Sequence, residues 1–171
     1  MRIAAAALAL ALLGAATAQA ADAWKTFHDP AAAFVFESPV APEAGQDSTQ
    51  GPDGKAVPIL TYTVDLGKSA YLVEVSDLSA YDTPADKFLA AAAAGAEGVG
   101  AKTISDTVVQ LDGQTGREVV IDDKDGNRIV DRIYFVKGHI YQAMSVVPPD
   151  ATSAQVGDAQ RFMDSFHLTG E

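Results

Sequence analysis

From residue 103 to 147 the chain alternates apolar and polar positions with a period of two, interrupted at Asp112-Gly113, Asp125-Gly126 and Lys137-Gly138. Period two is the spacing of side chains along a strand, and Asp-Gly between alternating segments is a strong hairpin signal. The pattern predicts strands over 103–111, 117–122, 128–136 and 139–147. Upstream, 24–28 and 34–38 read as short strands separated by Asp29-Pro30, and 59–66 and 70–75 as a pair joined through Gly67. Between them, residues 39–57 are polar and rich in Pro and Gly, and are expected to form a long loop, mobile or functional. The period lengthens to that of a helix twice. Phe88, Leu89, Ala92 and Ala96 form an apolar stripe behind an N-cap at Thr83 and a first-turn Pro84, and the run then dissolves into Gly95, Gly98 and Gly100. Ala159, Phe162, Met163 and Phe166 share one side of a second helix over 152–166, after Pro148-Pro149 stops the last strand. Hairpins mean antiparallel pairing, so the expected class is α+β: an antiparallel sheet of about six strands flanked by helices.

The turn IDDKDGNR at 121–128 has the acidic density of a calcium loop. With Gly126 at the sixth position of an EF-type loop, Asp125 and Asp123 fall at positions 5 and 3, but Ile121 falls at position 1 and Arg132 at position 12, and neither ligates calcium. A three-residue hairpin loop, Lys124-Asp125-Gly126 with Gly126 left-handed, fits better. It places Asp123 opposite Asn127, Asp122 opposite Arg128, Ile121 opposite Ile129, Val120 opposite Val130 and Glu118 opposite Arg132, matching charge with charge and apolar with apolar. If Lys137-Gly138 is a two-residue turn, Phe135 faces Ile140 and Tyr134 faces Tyr141. One sheet face then carries Val119, Ile121, Ile129, Ile133, Phe135, Ile140, Met144 and Val146, and is expected to be the main core face. The other carries Glu118, Val120, Arg132, Tyr134, Tyr141 and Ser145.

Residues 1–20, MRIAAAALALALLGAATAQA, read as a cleaved export signal: Arg2, an uncharged apolar stretch, then Ala18-Gln19-Ala20 before the cut. The apolar run is shorter than the about 20 residues of a spanning helix, there is no Arg-Arg pair, and no cysteine follows for lipid attachment. Residues 21–171 are expected to form a single domain, periplasmic or secreted, with no membrane insertion after cleavage. The chain has no cysteine, which excludes disulfide stapling, thiolate metal sites and thiol chemistry. A formal charge of −11 disfavours nucleic acid and anionic lipid as partners.

Gly116-Arg117-Glu118, Arg132-Ile133-Tyr134, Gly138-His139-Ile140-Tyr141-Gln142 and Arg161-Phe162-Met163-Asp164-Ser165-Phe166, taken in this order of elements, resemble the Mog1/PsbP-like superfamily. The resemblance spans most of residues 21–171 and implies an antiparallel sheet sandwiched by helices. Its members include a nuclear-transport factor that binds a small GTPase and an extrinsic photosystem subunit, so it also implies a binding role. It carries no site residues to this chain, since a fold does not fix a function.

No catalytic motif accompanies the pattern. His28, His139 and His167 lack metal-ligand spacing and read as surface or capping residues; no metal and no cofactor is expected. There is no GxSxG elbow, Walker loop or GxGxxG. The one constellation to single out is Glu118, Arg132, Tyr134 and Tyr141. It is either a salt bridge with two aromatics under a helix, or a recognition patch, because Arg and Tyr are favoured at binding hot spots; exposure decides. The expectation is an exported binding or accessory domain with an envelope protein as partner, recruited through 39–57 or through the Arg/Tyr face. A hydrolase of envelope substrates and a small-molecule carrier are the alternatives.

Overall fold

A computed structural model describes residues 24–51, 53–82, 84–96 and 101–169, with the side chain of Ala96 left aside. The export signal at 1–20, the Thr83 cap and the glycines at 98 and 100 lie outside the described residues. Ten strands and two helices follow in the order β1 (Lys25–Asp29), β2 (Phe34–Ser38), β3 (Glu43–Gln50), β4 (Ala56–Asp65), β5 (Ala70–Asp77), α1 (Ala85–Ala96), β6 (Lys102–Leu111), β7 (Gln114–Asp122), β8 (Arg128–Val136), β9 (His139–Val147), α2 (Ser153–Ser165) and β10 (His167–Leu168). They build two antiparallel sheets, one of seven strands in the order β3-β4-β5-β9-β8-β7-β6 and one of three in the order β1-β2-β10. The expected α+β class, an antiparallel sheet flanked by helices, holds, with seven strands in the main sheet for the about six expected and a second sheet of three beside it.

The hairpins form as their turn residues dictate. Asp112 (φ 49°) with Gly113 (φ 78°), and Lys137 (φ 50°) with Gly138 (φ 85°), make two-residue turns with both central residues left-handed, the type whose twist matches that of the strands. At 123–127 the loop is the three-residue one, with Gly126 at φ 82°. Glu118 pairs with Arg132, Val120 with Val130, Ile121 with Ile129 and Asp122 with Arg128; across the next turn Tyr134 pairs with Tyr141. Asp123 spends its carboxylate inside the turn, accepting from the Asp125 and Asn127 amides at 2.8 and 2.9 Å and from the Asn127 side chain at 2.8 Å. Those bonds hold its carboxyl below the usual range. Asp122 is ion-paired to Arg128. The acidic run is a self-satisfied turn.

The loop expected at 39–57 is largely strand: residues 43–50 form β3, which pairs with β4 over its full length from Glu43↔Thr63 to Gln50↔Ala56. All eight residues of β3 are exposed, so it lacks the alternation that marks a half-buried strand; its backbone ladder to β4 and the contacts at the tip of the arm hold it.

The two faces of the large sheet are covered unequally. Helix α1 lies over β7 and β8, where Leu89 and Ala93 meet Val119, Ile121 and Ile133. Helix α2 and the small sheet cover the opposite face. There Phe34, Phe36, Phe162 and Phe166 pack on Tyr62, Tyr71, Val73, Tyr134 and Tyr141, the largest buried cluster. Tyr71 stacks on Phe162 at 4.6 Å between ring centroids, and Tyr134 on Phe166 at 6.3 Å. The expectation for the main core is thus reversed: the Val119/Ile121 face carries the smaller cluster and the tyrosine face the larger. The covering aromatics come from β2 and α2, remote in sequence from the strands they bury. Helix α2 starts at the Thr152 cap, in a capping box with Gln155. Its end is clamped to the sheet by Arg132.

Candidate functional site

Glu118, Arg132, Tyr134 and Tyr141 do come together on one face, but beneath α2. Tyr134 is 2% exposed and Tyr141 7%. Arg132 donates to Glu118 Oε2 at 2.7 Å, to the Met163 carbonyl at 2.9 Å and to Asp164 Oδ1 at 3.0 Å. Its charge meets the C-terminal turn of α2, where a cation is favoured. The hot-spot reading requires exposed rings, and both are buried: Tyr134 stacks on Phe166 at the end of α2, and Tyr141 lies beside the β1–β2 turn and Leu168. The arrangement found is a salt bridge held to α2 and two aromatics covered by the helix end and the small sheet. Only the Glu118–Arg132–Asp164 edge reaches the surface, beside a depression of about 380 Å³ bordered by Val109, Leu111 and Met163.

The three histidines stay apart. His28 is exposed, His139 lies 3.8 Å from Asp77, and His167 faces Asp112 at 3.3 Å, tying β10 to the β6–β7 turn. Among the described residues no cluster of three or more His, Cys, Asp or Glu is arranged to hold a metal ion.

The larger cavity lies on the other side of the sheet. Helix α1 covers β7 and β8 and leaves β4, β5 and β9 open, while the β3–β4 arm rises at the sheet edge. Between them runs an open groove of about 670 Å³. The wall contributed by α1 is low because it is built of Ala91, Ala92 and Gly95. A Cβ placed on Gly95 would meet nothing within 4 Å. Tyr81 donates to Asp53 at 2.8 Å and packs against Gly51, fixing the tip of the arm against the residues that lead into α1.

The groove's polar lining comes from neighbouring strands. Glu74 on β5 sits opposite Gln142 on β9, and Asp131 on β8 sits opposite Met144 on β9. Asp131 is wholly buried. Its Oδ2 accepts from Gln142 Nε2 at 3.0 Å, and its Oδ1 has no hydrogen-bond partner. Burial, with the Glu74 charge adding to it, pushes the Asp131 carboxyl up to about 7. Burial also raises Glu74, and Asp47 on β3 adds to the shift. No Lys, Arg or His lines the groove.

None of these residues stood out as a motif, yet the alternation carried a signal. Asp131 falls in the apolar phase of Ile129, Ile133 and Phe135, and Gln142 in that of Ile140 and Met144. A charged or amide side chain in a core phase must be satisfied there or serve something else.

No protein-family model and no curated protein matches the sequence. Among solved structures, the chain is similar to the solution structure of cyanobacterial PsbP (CyanoP) from Synechocystis sp. PCC 6803. The TM-score is 0.53 and the identity 14%, over 91% of this chain and 98% of that one. With two antiparallel sheets, a helix on each face of the larger and this match over nearly its whole length, the chain has a PsbP-like α+β fold.

Proposed function

We propose that this is an accessory binding domain of the cell envelope, exported by the segment at 1–20, and that it docks a protein partner in the groove between α1 and the β3–β4 arm. The observation that carries the reading is Asp131: a wholly buried carboxyl lining an open groove with one oxygen unpaired. A buried acceptor left without a partner costs about 1–3 kcal/mol, so its retention in the groove floor points to a role toward a charge in the groove, exerted without direct contact. A hydrolase is the second reading, favoured by two carboxyls with raised pKa in one groove. It is the weaker reading. The free oxygen of Asp131 is closed to solvent, so it cannot pass a proton to a substrate as it stands, and no histidine lines the groove.

The test is a crosslinked pull-down from envelope extract with tagged residues 21–171. Three forms are compared: the native chain, Gly95→Trp, which fills the groove from a position with free space, and Arg132→Ala. A near-stoichiometric partner kept by Arg132→Ala and lost by Gly95→Trp is the expected result. Loss with Arg132→Ala alone would return the site to the Glu118–Arg132 edge.

A further inference from the structure

We infer that the group the groove receives is an ammonium on an aliphatic stem, presented as a lysine side chain by the protein partner. This rests on the groove being the docking surface. The charge argument comes first. Glu74 and Asp131 line the groove, and Asp47 stands close enough on β3 to raise Glu74. The cations that form ion pairs elsewhere in the described residues, Lys55, Lys68, Arg117, Lys124, Arg128, Arg132 and Arg161, are all paired to other carboxylates. Among the described residues no ion pair reaches Glu74, Asp131 or Asp47. Two carboxyls thus line one groove without a countercharge, with Asp47 near enough to act on Glu74, and both are shifted toward their neutral forms. An incoming cation would restore the charged forms of both.

The shape of the lining selects the kind of cation. Ile59, Ile140 and Met144 on the sheet and Phe88, Ala91 and Ala92 on α1 give the groove apolar walls, and the carboxyls are set among them, Glu74 opposite Gln142 and Asp131 opposite Met144. An aliphatic stem lying on those walls can carry a charged tip to Glu74. A compact ammonium is a point charge on a flexible stem and can sit against Glu74 on β5 while its field reaches Asp131, two strands away on β8. Glu74, half-buried, is the direct contact; Asp131, wholly buried, lies in the floor and acts on the charge without touching it.

The experiment titrates residues 21–171 with Nα-acetyl-lysine methylamide, with the neutral isostere Nα-acetyl-norleucine methylamide and with cadaverine, following backbone amide shifts by NMR. Saturable shifts at Glu74, Ile140 and Gln142 are expected for the lysine probe. Glu74→Gln and the isosteric Asp131→Asn should each weaken that binding about tenfold, with the norleucine probe weak throughout. A thermal melt of each variant confirms that it is folded. Equal binding of the lysine and norleucine probes would overturn the cation inference and leave the groove as a docking surface. Tighter binding of cadaverine than of the blocked lysine would overturn the partner-borne source in favour of a free amine. Lysine-probe binding that survives Gly95→Trp would overturn the location. A groove that fails as the docking surface is seen separately, as partner capture indifferent to Gly95→Trp.

Discussion

At Gly116 the sheet has no room for a side chain. The residue pairs with Tyr134, and a Cβ there would overlap both the Tyr134 ring and the Ile133 carbonyl. The absent side chain leaves room for the ring, which stacks on Phe166. Gly116→Ala is expected to destabilise the domain by about 1–3 kcal/mol, since a clash with backbone cannot be relieved by a rotamer change. Urea denaturation checks this, and a variant as stable as the parent would show that β7 can shift away from β8 without loss. The glycine was visible in the sequence beside Arg117 and Glu118, but its reason was not. Nothing local says that the residue opposite is a tyrosine whose ring must cross the strand.

Among the elements, β3 differs most from its neighbours. It has no buried residue, forms an edge of the sheet and is tied down mainly at its tip, by Tyr81 on Asp53 and by the buried Val57 that follows in β4. Local opening follows low burial, so its amides are expected to exchange with a free energy at least about 2 kcal/mol below those of β5 and β9 in the sheet centre. Native-state hydrogen exchange resolved by segment reads this directly, and equal protection would mean that the arm is held by more than its backbone ladder. The same feature explains why the sequence hid it. A strand is legible when one face is buried, and EAGQDSTQ has no buried face. The strands 128–136 and 139–147, by contrast, alternate against two packed layers and are recovered with both ends right. The hairpin registers were equally legible, because charge pairing and turn residues are local. The partition of the faces was not, because Phe34 and Phe36 arrive from another sheet. For the groove, Asp131 and Gln142 announced a polar interruption of the core phase, while the low wall that opens the space to them depends on where α1 lands.

For the whole molecule, those buried acids set how stability follows pH. The Asp131 carboxyl is raised to about 7 by burial, and Glu74 is raised in the same direction. Between pH about 4 and about 7 the folded chain therefore keeps protons that the unfolded chain has released. Stability from this source is complete below the unfolded value and is lost as pH rises through 7. The acids lowered by hydrogen bonds, such as Asp29 beside Tyr62 and Asp164 beside Gln160 and Arg132, act oppositely and only under more acidic conditions, where their protonation removes stability. Denaturation midpoints are expected to fall between pH 5 and pH 8, by on the order of 2 kcal/mol, and Asp131→Asn should flatten most of that slope. A parent whose stability rises over that interval would place the proton elsewhere. The small sheet carries a different consequence, one of timing. Its middle strand, β2, is flanked by β1 from the start of the described chain and by β10 from its end, and Phe34 and Phe36 wait for Phe162 and Phe166. On the export route proposed above, a chain threaded N-terminus first through a membrane pore would emerge with its aromatic half-core bare and could not close it until the last strand followed. Premature folding on the near side would be slow for the same reason, and a chaperone for extended, aromatic-rich segments would have most of the transit time in which to act.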